Sequence, residues 1–81
     1  MPKLPEEVRR KQILKATVAA IEKYGINNFS LRHVKECSTV PVGISTIRGF
    51  YKKRTDLIKA VHGSDVSSDE LKTTIEENCY V

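Results

Sequence analysis

S-T-I-R-G-F-Y-K-K-R-T-D-L-I-K-A-V, residues 45–61, decides how this chain is read. It divides into a short helix, a basic aromatic corner (F-Y-K-K-R, residues 50–54) and a second helix, with Ile47, Leu57 and Val61 at inward positions. Small polar side chains, Ser45 and Thr46, open the first helix, and the cations Lys52, Lys53 and Arg54 follow it. Such a rod is anchored from behind by an apolar residue and offers hydroxyls and positive charge in front. A polyanion is the partner that this order suits.

Upstream, the helix of residues 44–51 restarts after S-T-V-P-V-G (38–43). That connector cannot be a comfortable helix, because Pro41 restricts Val40 and β-branched residues and Gly43 surround it. Before it, Ser30 is a natural N-cap for a helix over Leu31–Cys37 with Leu31 and Val34 inward. A longer helix is predicted from Glu6 to Tyr24. Pro5 suits its first turn, Glu6 and Glu7 complement the positive end of its dipole, and Ile13, Leu14, Thr17, Val18, Ile21 and Tyr24 share one face. Gly25 follows, where a left-handed cap is expected.

Downstream, Thr55 is predicted to cap a helix running through His62 and closed by Gly63. A capping box of Ser67 with Glu70 then opens a fifth helix, with Leu71, Ile75 and Cys79 on one face. Only C-S-T-V-P-V hints at a strand. The expectation is an all-α fold: a helix-turn-helix body over residues 1–63 and an acidic helix over 64–81. The apolar residues of that helix, with Tyr80 and Val81, either pack back on the body or make a dimer contact.

A length of 81 residues means one small domain with a modest core. With 40% apolar and 30% charged residues, the composition excludes wholesale disorder. No apolar run is long enough to span a bilayer, and M-P-K-L-P-E-E is too polar for a signal peptide, so a cytoplasmic location is expected. Residues 1–63 hold 13 of the 14 Lys and Arg against 5 of the 10 Asp and Glu, while 64–81 hold Lys72 against five acids. A basic body with an acidic tail again favours a polyanion. Cys37 and Cys79 lack metal-ligand spacing, and His33 and His62 read as surface residues without acidic or cysteine neighbours. No nucleophile-base set or phosphate loop appears, so neither catalysis, nor a metal, nor a cofactor is expected.

I-L-K-A-T-V-A-A-I-E-K-Y-G-I-N-N-F-S-L-R-H-V (13–34) and V-G-I-S-T-I-R-G-F-Y-K-K-R-T-D-L-I-K-A-V (42–61) together resemble the N-terminal DNA-binding domain of tetracycline-repressor (TetR) type transcriptional regulators. The likeness covers roughly residues 9–63. Within that family the opening M-P-K…R-R-K-Q-I-L-K-A-T is most similar to choline-responsive repressors of the betaine pathway. Gly25 stands at the family's glycine and Ser30 at its second-helix cap. The chain departs from the pattern in a turn between Val34 and Val42 longer by about two residues, a spacing that keeps Ile47, Tyr51, Arg54 and Leu57 in register. If Gly43 is matched to the family's glycine instead, the extra residues fall before Tyr51. Arg48 replaces the usual tyrosine, and Gly49-Phe50 replaces a bulkier aromatic-histidine pair. The family's large C-terminal ligand-binding and dimerisation domain has no counterpart here, so no small-molecule ligand is expected.

The resemblance implies a homodimeric regulator of double-stranded DNA with residues 44–51 in the major groove. Ile44, Ser45 and Thr46 would approach base edges, Arg48, Lys52, Lys53 and Arg54 the phosphate backbone, and Gly43 and Gly49 would lie among the DNA-contacting residues. Ser30 would mark a second phosphate contact, and Arg32 could reach a guanine or a phosphate. Plainer readings stand beside these. Lys52-Lys53-Arg54 can be a solvated charge run, Ser45 and Thr46 can merely cap, and Arg48 can pair with Glu22 or Glu36. A protein-binding adaptor or inhibitor derived from the same fold, or an accessory factor for recombination or plasmid maintenance, is the alternative function.

Overall fold

Five helices and no strand make up the described residues, 6–39 and 42–80, of the computed structural model: α1 (Glu6–Tyr24), α2 (Leu31–Cys37), α3 (Ile44–Phe50), α4 (Arg54–His62) and α5 (Asp69–Glu77). The chain is all-α. Pro5, Val40, Pro41 and Val81, to which the sequence assigns a first turn, a restricted connector and a tail contact, lie outside the described residues. No described helix is long and apolar enough to cross a membrane.

α1 is the element on which the others assemble, packing against both α2 and α4. Ile13, Leu14, Ala16, Thr17, Ala20 and Ile21 are buried, and Val18 and Tyr24 flank them half-buried. Ala16 and Ala20, one turn apart, leave room for neighbouring side chains. Thr17 satisfies its buried hydroxyl by donating to the Ile13 carbonyl at 2.8 Å. α1 ends at Gly25, whose φ of 96° is open to glycine and strained for other residues. The Gly25 amide donates to the Ile21 carbonyl, and its own carbonyl accepts from Phe29, which turns the chain back under the helix. Phe29 is then 1% exposed within the apolar core.

Val34 of α2, Val42 of the connector, Ile47 of α3 and Leu57, Ile58 and Val61 of α4 join the same apolar cluster. Leu71 and Ile75 of α5 belong to it as well, so the apolar face of the acidic tail looks into this core. α5 packs on α4, and His62 Nε2 lies 3.1 Å from the Glu76 carboxylate. Cys79, placed on that apolar face by sequence spacing, is exposed, with a left-handed φ of 60°.

Two helix starts differ from the sequence expectation. α4 begins with Lys53 as its N-cap rather than Thr55, and the Lys53 carbonyl accepts from the amides of Asp56 and Leu57. Full burial of Leu57 and Ile58 sets the phase of α4, and Lys53 caps without a side-chain bond. Likewise the N-cap of α5 is Ser68, whose Oγ accepts from the Leu71 amide at 3.2 Å. Ser67 is buried and donates to the Ser64 carbonyl, closing the preceding turn. In both cases the buried leucine selects which neighbouring residue caps.

Ile75 is fully buried, so Ile75→Ala leaves a cavity where α5 meets the body. The expected loss is about 2–5 kcal/mol of unfolding free energy by urea denaturation. A loss below about 0.5 kcal/mol, the range of a surface substitution, would mean that α5 is not part of the core.

Candidate nucleic-acid interface

The start of α2, the outer side of α3 and the start of α4 enclose an open groove of about 570 Å³. It is lined by Phe29, Ser30, Leu31, Arg32, His33, Ile44, Arg48 and Arg54. Three arginines thus border one concavity, and no carboxylate lines it. Five of the residues singled out in the sequence come together here: Ser30, Arg32, Ile44, Arg48 and Arg54.

The remaining six lie outside the groove lining. Ser45, Gly49 and Lys52 are exposed, and with Arg48 they fall three, four and seven residues after Ser45, a single outward stripe of α3 and its exit. Lys53 is exposed beside it, Gly43 is the exposed N-cap of α3, and Thr46 is half-buried. Ile47, on the opposite side of the helix, is fully buried. Among the described residues no carboxylate pairs with Arg32, Arg48, Lys52 or Lys53; in particular neither Glu22 nor Glu36 pairs with Arg48.

α2 is held in place by contacts that the sequence reading did not foresee. His33 lies half-buried at the surface: its ring stacks on Tyr24, with centroids 3.8 Å apart and planes 14° from parallel. Its Nδ1 accepts from the Ser30 amide at 3.1 Å. This is the N3 position of a capping box, filled by an imidazole instead of the usual Glu or Gln. The Tyr24 hydroxyl reaches the Glu36 carboxylate at 3.2 Å, so that acid is engaged with α1 rather than with the groove. The spacing Ser30-x-x-His33 is the one signal that could have disclosed the cap. His62, also half-buried, faces Glu76.

Arg54 differs from the other cations. Its Nη1 donates to the Asn27 carbonyl at 2.8 Å, and its guanidinium carbon sits 5.8 Å from the centre of the Phe29 ring. It therefore ties α4 to the loop after α1 while still lining the groove. Arg10 of α1 makes a comparable contact with Phe50, 5.9 Å from its ring centre. Burial raises the pKa of the neighbouring Tyr51 phenol above its ordinary 10.0, against the opposing positive charge of Arg10.

No family model matches the chain, and neither does any curated protein or solved structure.

Gly49 is a helical residue on the outward stripe, and a Cβ built there meets nothing within 4 Å. Because glycine costs about 0.5–1 kcal/mol relative to alanine inside a helix, Gly49→Ala should stabilise the fold by that amount in a urea titration. A neutral or destabilising result would show that α3 needs this glycine internally. Tyr51 gives a second expectation. Its phenol is neutral in both states at low pH, and the folded chain holds the proton more tightly, so its contribution to stability is flat up to about pH 10 and falls above it. Alkaline absorbance titration, compared between the wild-type chain and Tyr51→Phe, should assign to Tyr51 a phenol that ionises above its ordinary value. A Tyr51 transition at or below that value would contradict its burial.

Proposed function

We propose that this chain is a small DNA-binding transcriptional regulator, most simply a repressor. It would use α2 and α3 as a helix-turn-helix of the TetR or homeodomain-like kind, with α3 in the major groove of a duplex. The observation that carries the reading is the combination of a carboxylate-free arginine groove with an outward stripe of Ser45, Arg48, Gly49 and Lys52 on a helix anchored by Ile47. Arg32, Arg48, Lys52, Lys53 and Arg54 would neutralise phosphates, while Ser45 and the methyl groups of Ile44 and Thr46 would meet base edges. Gly43 and Gly49 would allow the nucleic acid to approach the backbone of α3. A cytoplasmic location and a DNA-bound homodimer complete the proposal, because modules with one recognition helix commonly double their half-sites. With Leu71 and Ile75 turned into the core, a second copy would have to use another surface.

Five phosphate contacts imply a steep response to salt. Binding of labelled duplex DNA, followed by fluorescence anisotropy, should weaken roughly five-hundredfold between 50 and 200 mM monovalent salt. Paired substitution Arg48→Glu and Lys53→Glu should abolish it while leaving the melting curve in place. Undiminished affinity in that variant rejects the proposed face.

A further inference from the structure

Asn27 is an exposed loop residue between α1 and α2, yet it makes three hydrogen bonds to distant parts of the chain. Its carbonyl accepts from Arg54 Nη1 at 2.8 Å. Its side-chain Oδ1 accepts from the Tyr80 hydroxyl at 2.7 Å, and its Nδ2 donates to Asn78 Oδ1 at 3.2 Å. A solvent-facing asparagine would ordinarily bond water, so this junction joins the end of the acidic tail to an arginine of the groove. The tail is shaped to reach it. Cys79 takes a left-handed φ of 60°, the Tyr80 amide donates to the Ile75 carbonyl at 3.2 Å, and the Tyr80 ring packs half-buried against the core.

We propose that Asn27 and Tyr80 are positioning residues: the tail fixes Asn27, and Asn27 fixes the Arg54 guanidinium at the mouth of the groove. The inference rests on the nucleic-acid reading above and adds to it a role for the C-terminal helix. The chemistry of arginine makes the arrangement useful. A guanidinium carries five N–H donors in a planar fork, so one can be spent on a backbone carbonyl while others remain for a phosphate. Arg32 and Arg48 also line the groove, and like charges repel. A carbonyl acceptor and the face of Phe29 hold Arg54 there against that repulsion. Without the tail contact, the Asn27 loop loses its side-chain anchor and Arg54 its fixed direction.

Tyr80→Phe removes the hydroxyl and keeps the ring, and Asn27→Ala removes the other partner while leaving the Tyr80 ring in place. Each variant of the full chain is titrated with labelled duplex DNA at several salt concentrations, alongside thermal melts. The expected result is a folded protein whose affinity falls about three- to tenfold, the worth of one hydrogen bond. The slope of log affinity against log salt should also become shallower by about 0.9, the signature of one lost phosphate contact. The double variant should bind no more weakly than either single one, since both break the same link. Unchanged affinity and slope in a folded variant overturns the proposal, as does loss of fold in both variants, which would assign the pair to stability alone. If wild-type chain fails to bind DNA, the nucleic-acid reading fails and this inference with it. If wild type binds and the Arg48→Glu, Lys53→Glu chain does not, while Tyr80→Phe is neutral, the reading stands and only the link through Asn27 falls.

Discussion

α3 is seven residues long, too short to persist as an isolated helix in water, and its N-cap Gly43 supplies no side-chain bond. What holds it is the burial of Ile47, with Val42 before it and Phe50 and Tyr51 after it packed on the same core. Removing one isoleucine side chain from water contributes about 1.5–3 kcal/mol. That exceeds the cost of about 0.5–1 kcal/mol for placing Gly49 within the helix. Once Ile47 points inward, helical geometry leaves Ser45, Arg48, Gly49 and Lys52 on the far side. The outward stripe is thus a consequence of one apolar anchor and the pitch of the helix.

The distribution of charge follows a similar logic. Three of the tail's five carboxylates are engaged locally: Glu76 meets His62, and Asp69 and Glu70 sit in the first turn of α5, where the helix dipole favours negative charge. Glu36 accepts from Tyr24. These acids offset positive charge over the whole chain without reaching the groove bordered by Arg32, Arg48 and Arg54. An overall excess of four positive charges therefore understates the field at this one face. Such a surface suits a polyanion whose attraction is strong at low salt and weakens as ions screen it.

Helix boundaries were legible where punctuation and periodicity agreed. Gly25 and Ser30 bracket the loop after α1, and the interruption at residues 38–43 separates α2 from α3, as read from residue types alone. The starts of α4 and α5 were misread because adjacent residues, Lys53 to Thr55 and Ser67 to Ser68, offered competing caps. Tertiary burial of Leu57 and Leu71 chose between them. Ala16 and Ala20 escaped notice as core because alanine is at home on either face of a helix. For the candidate site, the residue types along α3 pointed to its outward stripe. The stacking of His33 on Tyr24 and the bond from Arg54 to Asn27 were not legible, since both depend on the path of a loop rather than on spacing.

The account's central claim is that the face made by the start of α2 and the outer side of α3 lies along duplex DNA. Chemical-shift mapping of the ¹⁵N-labelled chain with added duplex tests this most directly. The account predicts that shifts concentrate at Ser30, Arg32, Ser45, Arg48, Gly49 and Lys52, with the amides of α5's outer side undisturbed. Shifts centred on the opposite surface, or none at low salt, would contradict it.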